Sequence, residues 1–362
     1  MSDPMWRLLA SVTYDPDVPG RKEYLPSRAE RWCRFCTSAP HLLTFKKDAH
    51  AIPEALGNRY LLSREECDAC NASAAQLEDD LAKHLTVARV MSRIPGKGGD
   101  VKHRLGERPS FILSDAAKNQ IIVDRTVGDD SIETRRISTG VKWRIRIPGY
   151  RPLNVAKALA RIVLMLVPET ELPRLEHVRR WTRDEVVWDG VVFDEGFIPG
   201  TGLAKVRVAV EGRVQARPGE ANYRLALIYG TAAFSFHLPG PDMLLTNVPM
   251  PPKARSPYPP HDVKWRRIRP SDGVYRGRVD EVDLFVPALA AMPPPLEREI
   301  ATSAYYRWLD RGAPTSAEGA LQDWLEAEQD LLWGQVEIAA IRKPRDELLA
   351  PDMTSGSSAS SR

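Results

Sequence analysis

Apolar residues recur along this chain in two rhythms, one helical and one strand-like. In "SAAQLEDDLAKHLTVARVM", Ser73–Met91, Leu77, Leu81, Leu85 and Ala88 fall on one face of a helix. "PLNVAKALARIVLMLVP" repeats the pattern with Val155, Leu159, Ile162, Val163 and Leu166, and Pro168 closes it. "VKWRIRIP" alternates instead: Val141, Trp143, Ile145 and Ile147 take one face, Lys142, Arg144 and Arg146 the other. "FILS", "QIIVDRTV", "AKVRVAVEGRVQAR" and "YRLALIYGTAAFSFHLP" also read as strands.

Between these elements the punctuation sets the organisation. Residues 1–30, with Pro19 and Pro26, read as an irregular N-terminal extension. A cysteine-bearing module with its following helix spans 31–92. The Gly/Lys-rich "IPGKGGDVKHRLG" then forms a loop and hinge, and "PGKGG" within it lacks the spacing of a phosphate-binding Walker loop. A larger mixed α/β domain covers 100–345, interrupted by the proline-rich "PMPPKARSPYPPHD". Two closing helices are expected at 295–311 and 316–341, and 346–362 read as a disordered tail. The fold class is α+β.

Composition narrows the picture only a little. With 362 residues, 43% hydrophobic and 27% charged, the chain is ordinary globular material. Its net charge of +3 does not mark a nucleic-acid binder, so any basic surface must be local. Two segments supply one. Arg135–Arg151 carries six basic residues and no acidic one; Lys253–Arg278 carries eight against Asp262 and Asp272. Arg144, Arg146, Lys264, Arg266 and Arg267 are the candidate phosphate contacts, while Trp143 belongs to the buried face of its strand. The start of the chain shows no signal-peptide pattern and "IVLMLV" is too short to cross a bilayer, so a cytoplasmic protein with no membrane association is expected.

All four cysteines sit in two Cys-x2-Cys pairs, Cys33 with Cys36 and Cys67 with Cys70. In a reducing compartment such pairs are metal knuckles, and four thiolates suit one tetrahedral Zn²⁺. Four thiolates leave no open coordination position, so this zinc is structural.

Between the pairs lies "FKKDAHAIPEALGN", and the second pair runs directly into an asparagine, "CDACN". The arrangement Cys-x2-Cys, His-x2-Pro, Cys-x2-Cys-Asn resembles the HNH endonucleases of the ββα-metal class. The downstream "YRPLNVAKALARIVLMLVPETEL" is similar to a helix of longer bacterial HNH proteins. The resemblance implies a small zinc-stapled ββα-metal module and hydrolysis of phosphodiester bonds. In it His50 is the general base, and Asn71 a ligand of a catalytic Mg²⁺ or Mn²⁺. Asn58 is the nearest match to the middle asparagine, holding the loop or the histidine; it equally suits a plain turn after Gly57. Ala49 departs from the family, whose members usually place an acidic ligand there, although some manage with one asparagine.

Asp48 and Glu54 are remoter candidates, and Glu66 and Asp68 are expected to be exposed. His84, His103, His177, His237 and His261 have no partners at ligand spacing and read as structural or solvated. The implied substrate is DNA, with RNA as an alternative, and the setting antiviral defence, where relatives pair with a short Argonaute. A homodimer is also compatible. The rival reading is a non-catalytic zinc module that binds nucleic acid.

Overall fold

The computed structural model describes residues 5–285, except 15–20, 29, 37–41, 93–101, 105–110, 116–119, 125–130, 138–139, 198–202, 218, 243–263, 271–272 and 277. The two closing helices, the tail and the proline-rich connector therefore lie outside the described residues.

The elements run β1 (Trp6–Tyr14), β2 (Glu23–Tyr24), β3 (Ala49–His50), β4 (Leu61–Ser63), α1 (Asp68–His84) and α2 (Thr86–Met91). Next come β5 (Lys102–Arg104), β6 (Phe111–Asp115), β7 (Gln120–Asp124), β8 (Ile132–Ile137) and β9 (Gly140–Arg146). α3 (Pro152–Leu166) and α4 (Glu176–Thr182) follow, joined by a 3-10 turn. The chain continues through β10 (Phe193–Phe197), β11 (Leu203–Arg213), β12 (Tyr223–Gly230), β13 (Ala232–Leu238), β14 (Lys264–Ile268) and β15 (Val279–Phe285). Among the described residues no helix is long and apolar enough to cross a membrane.

The described residues form a six-stranded sheet in the order β1-β11-β12-β13-β10-β14 and three three-stranded sheets, β15-β9-β8, β2-β4-β3 and β5-β6-β7. β1 corrects the reading of residues 1–30 as irregular. "WRLLASVTY" alternates at its end, Ser11 and Thr13 outward and Ala10, Val12 and Tyr14 inward, which suits an edge strand. The two prolines that suggested disorder lie beyond it. "YRLALIYGTAAFSFHLP" is two strands rather than one. Gly230 makes the turn at φ 54, where an added Cβ would also strike the Ser92 side chain at the end of α2.

α3 is the hub. Pro152 starts it, its apolar residues are buried on nearly every side, and it packs along α1 while touching α4 and β13. Trp143, Ile145 and Ile147 are buried as their alternation predicts, and Arg144 and Arg146 are exposed. One continuous core joins Cys33, Phe35 and Leu56 to Phe234 and Phe236.

A buried polar network locks the end of α1 to the sheets. Arg278 donates to His84 Nδ1 at 2.7 Å, to the Tyr150 hydroxyl at 3.1 Å, to Glu195 at 2.9 Å and to Asp280 at 2.7 Å. His84 Nε2 lies 3.2 Å from the same Glu195 carboxylate. The imidazole thus accepts at Nδ1 and donates from Nε2, and is neutral.

Burial lowers the pKa of His84 from its ordinary 6.5. Burial alone would raise Glu195, but the hydrogen bond from His84 and the charges of Arg278 and Arg266 outweigh it and hold the carboxylate well below 4.5. Both groups take up protons more readily in the unfolded chain, so both favour the fold at neutral pH and oppose it as pH falls. His103 and His237, which burial lowers to about 4, act in the same direction, and together these groups outnumber the opposing carboxyls Glu66 and Glu78, which burial raises, Glu66 to about 7. The thermal midpoint should therefore drop as pH is lowered from 7, first below about 6.5 and again below about 4.5. A midpoint flat from pH 7 to 4 would contradict this.

Candidate metal centre and histidine cleft

The two knuckles meet where the sheet β2-β4-β3 abuts the start of α1. Cys67 stands at the N-cap of α1 and Cys70 in its first turn. Backbone N–H groups of Phe35 and Cys67 both donate to Cys33 Sγ at 3.4 Å, folding each pair around its sulfurs. Cys36 and Cys67 sulfurs lie 3.8 Å apart, and all four sulfurs lie within 4.8 Å of one another. Zinc–sulfur bonds of about 2.3 Å in a tetrahedron need sulfurs about 3.8 Å apart. The donor set therefore fits one zinc ion. A hydrogen bond from Cys70, with help from backbone N–H groups and against burial, draws the Cys33 thiol down to about 4, and Cys70 is raised in turn.

Two arginines clasp this centre to α3 in opposite directions. Arg34, inside the first knuckle, donates to Glu65 at 2.5 Å and reaches the carbonyls of Leu164 at 2.8 Å, Met165 at 3.2 Å and Val167 at 2.8 Å. It caps carbonyls that the end of α3 leaves without helical partners. Arg161 of α3 returns the contact, pairing with Glu66 and lying 3.8 Å over the ring of Phe35. Glu66 is thus buried, at 4% exposure, where the sequence suggested an exposed residue. Burial pushes its carboxyl up to about 7 against the opposing charge of Arg161. Asp68 is less buried and clips the incoming loop, accepting from the N–H groups of Lys46 and Lys47 at 3.0 and 3.2 Å.

His50 sits on a shorter strand than its sequence suggests. Only Ala49 and His50 pair, with Ser63 and Leu62 of β4, and the order β3, β4, α1 is a ββα arrangement. Asp48 lies outside the strand and accepts a hydrogen bond from the Tyr24 hydroxyl at 2.7 Å. His50 is part-exposed, with Nε2 3.9 Å from Glu54, and lines a cleft with Phe35, Glu66, Glu78, Arg161 and Met165. The free volume of the cleft is about 20 Å³, room for a water or an oxygen atom but not for a base. Ala49 is fully buried, so its position offers no ligand.

Asn58 is a loop clamp rather than a reacting group. Its amide donates to the carbonyls of Ile52 and Leu61 at 2.8 and 2.9 Å and accepts from the N–H groups of Leu61 and Tyr60 at 2.9 and 3.3 Å. That arrangement uses both donors and the carbonyl oxygen. Of the two roles the sequence offered it, holding the loop is the one these contacts suit, since they fix the turn that follows His50. Asn71 lies in the first turns of α1, part-exposed, and is not among the residues lining the cleft. It shares a helix face with Glu78, two turns on, which does line it.

The basic candidates divide. Arg144 and Arg146 face solvent on β9, Arg144 paired with Glu133 at 2.8 Å. Arg266 pairs with Glu195 at 2.6 Å. Arg267 forms a two-pronged pair with the fully buried Asp194 at 2.8 and 3.1 Å, which anchors it to the neighbouring strand. The Lys264 side chain is outside the described residues. β9 and β14 belong to different sheets, so the two basic segments do not form one strand surface.

A family model described as a protein of unknown function, DUF2934, matches residues 295–332, the stretch expected to hold the closing helices. No curated protein and no solved structure matches the chain.

Proposed function

We propose that this chain is a metal-dependent nuclease of the HNH type, hydrolysing phosphodiester bonds in DNA. The observation that carries the reading is the placement of His50. It stands on the strand of a ββα arrangement whose turns hold four clustered sulfurs, and it opens onto a cleft sized for a water molecule. A structural zinc scaffold alone has no use for an imidazole there. In this reading Cys33, Cys36, Cys67 and Cys70 hold structural zinc. His50, as neutral imidazole, takes the proton of a water whose oxygen bonds to phosphorus while the leaving oxygen departs. A Mg²⁺ or Mn²⁺ ion held by the Asn71 amide oxygen and waters would neutralise charge on the phosphate. A cytoplasmic defence effector that works with a partner such as a short Argonaute is the setting that suits it.

The buried Ala49 favours the second reading, a module that holds nucleic acid without cutting it. Purified protein, alone and with any co-purifying partner, should be incubated with plasmid and with RNA in Mg²⁺, Mn²⁺ or EDTA. The expected result is nicked or linear plasmid with either metal and none in EDTA. Nucleic acid bound but left intact in every metal and partner condition would favour the binding module.

A further inference from the structure

The residue that the ββα resemblance does not account for is Arg161, which enters the His50 cleft from α3, far along the chain. We propose that Arg161 is the phosphate-holding cation of the His50 site, fixed in place by Glu66 and Phe35. This deepens the nuclease reading and rests on it for the chemistry, though not for the contact.

Three observations carry it. First, the guanidinium is immobilised on two sides. Glu66 holds its edge, and the Phe35 ring lies 3.8 Å from its face. Both of these residues adjoin zinc-ligand positions, so the metal centre indirectly sets where the cation stands. Second, its hydrogen bonds run through Nη2, to Glu66 and more weakly to Cys70 O at 3.5 Å. Among the described residues no hydrogen bond engages the other donors of the five-donor fork, which leaves them for an anion in the cleft alongside Glu78. Third, the cleft that Arg161 and His50 both line has a free volume of about 20 Å³, the scale of a phosphoryl oxygen.

The need is physical as well. With alanine at position 49, the proposed metal has few protein ligands and no carboxylate from β3. Neutralising the charge that grows on phosphorus oxygens then falls more heavily on a preorganised cation, which is most effective in a site that excludes water.

Removing Arg161 alone would strand a buried carboxylate, so the informative variant is Arg161→Met/Glu66→Gln, which removes both charges with little change of volume. Arg161→Lys keeps the ion pair and a cation but not the fork. Each should be compared with the wild type by metal content, by oligonucleotide binding in EDTA across a salt series, and by cleavage in Mn²⁺. The double variant should retain its zinc, lose about one unit of salt slope, and cleave ~10²-fold more slowly. Arg161→Lys should keep the slope and lose part of the rate.

A folded double variant with wild-type slope and rate makes Arg161 a strut and overturns the proposal. If the double variant fails to fold, wild-type rate in Arg161→Lys overturns it instead. Loss of slope in a protein that never cuts, with or without His50, would keep the phosphate contact and discard the nuclease. Normal cutting by the double variant together with an inactive His50→Ala would do the reverse.

Discussion

Exchanging Cys67 for Ser should strip the chain of its zinc and unfold the N-terminal module. Structural zinc supplies apparent binding free energies of about 10–16 kcal/mol in small zinc-dependent units, more than most whole domains have to spare. Cys67 is buried, stands at the N-cap position of α1 and lies 3.8 Å from Cys36, so its loss opens the cluster where the helix begins. The damage should not stop at the knuckles. Arg34 and Arg161 are buried charges whose partners, Glu65 and Glu66, directly precede Cys67. When the second knuckle opens, both clasps on α3 loosen, and breaking a buried pair typically costs about 3–5 kcal/mol. Metal analysis should find about one zinc per native chain and none in the variant, and thermal unfolding should show a large drop in midpoint. A strong chelator should reproduce the drop in the native protein. Native protein without zinc, or a Cys33–Cys67 disulfide under reducing conditions, would defeat the expectation.

Removing the imidazole should have the largest effect on chemistry. His50→Ala is expected to lower cleavage by ~10²–10⁴-fold, the usual cost of losing a general base. Fold, zinc content and DNA affinity should remain, because the ring is part-exposed and ends a two-residue strand. Asn71→Ala should be comparably slow, but by loss of the second metal, so high Mn²⁺ should restore part of its rate and none of the rate of His50→Ala. Asp48→Ala should do less harm than either, since its carboxylate already serves Tyr24. Wild-type cutting by His50→Ala, in a preparation free of contaminating nuclease, would show that the HNH reading of this cleft is wrong.

What could be read from the sequence was what is decided locally. Cysteine spacing is a property of a few adjacent residues, so the sulfur cluster was legible before any coordinates. The periodicity of α3 was equally clear, because a helix buried on most sides carries an unmistakable apolar face. What its sequence could not tell was the fate of Arg161. A lone arginine in an apolar helix is normally a surface residue, and its partner Glu66 stands almost a hundred positions earlier. Glu66 was misjudged for the same reason. Arg267 looked like part of a basic surface because Asp194, the carboxylate beneath it, arrives on a strand from another part of the chain. His84 had no partner within sequence reach, yet Arg278 and Glu195 converge on it from distant parts of the chain. Long-range ion pairing, not local propensity, settled each of these cases.

The pairing of β1 with β11 also bears on how the chain acquires its structure during synthesis. Trp6 stands opposite Arg213 and Tyr14 opposite Val206, so β1 has no neighbour until about two hundred further residues have been made. The two cysteine pairs, by contrast, have all emerged once residue 70 is made. Contacts so distant in sequence close slowly, and a nascent chain meanwhile exposes unpaired strand edges. Early metal capture would give the growing chain an ordered anchor before β11 is made. Tyr14, whose hydroxyl donates to Leu56 O at 2.9 Å, ties that anchor to the waiting strand. Metal-starved cells should therefore yield aggregated nascent protein rather than a folded apo form.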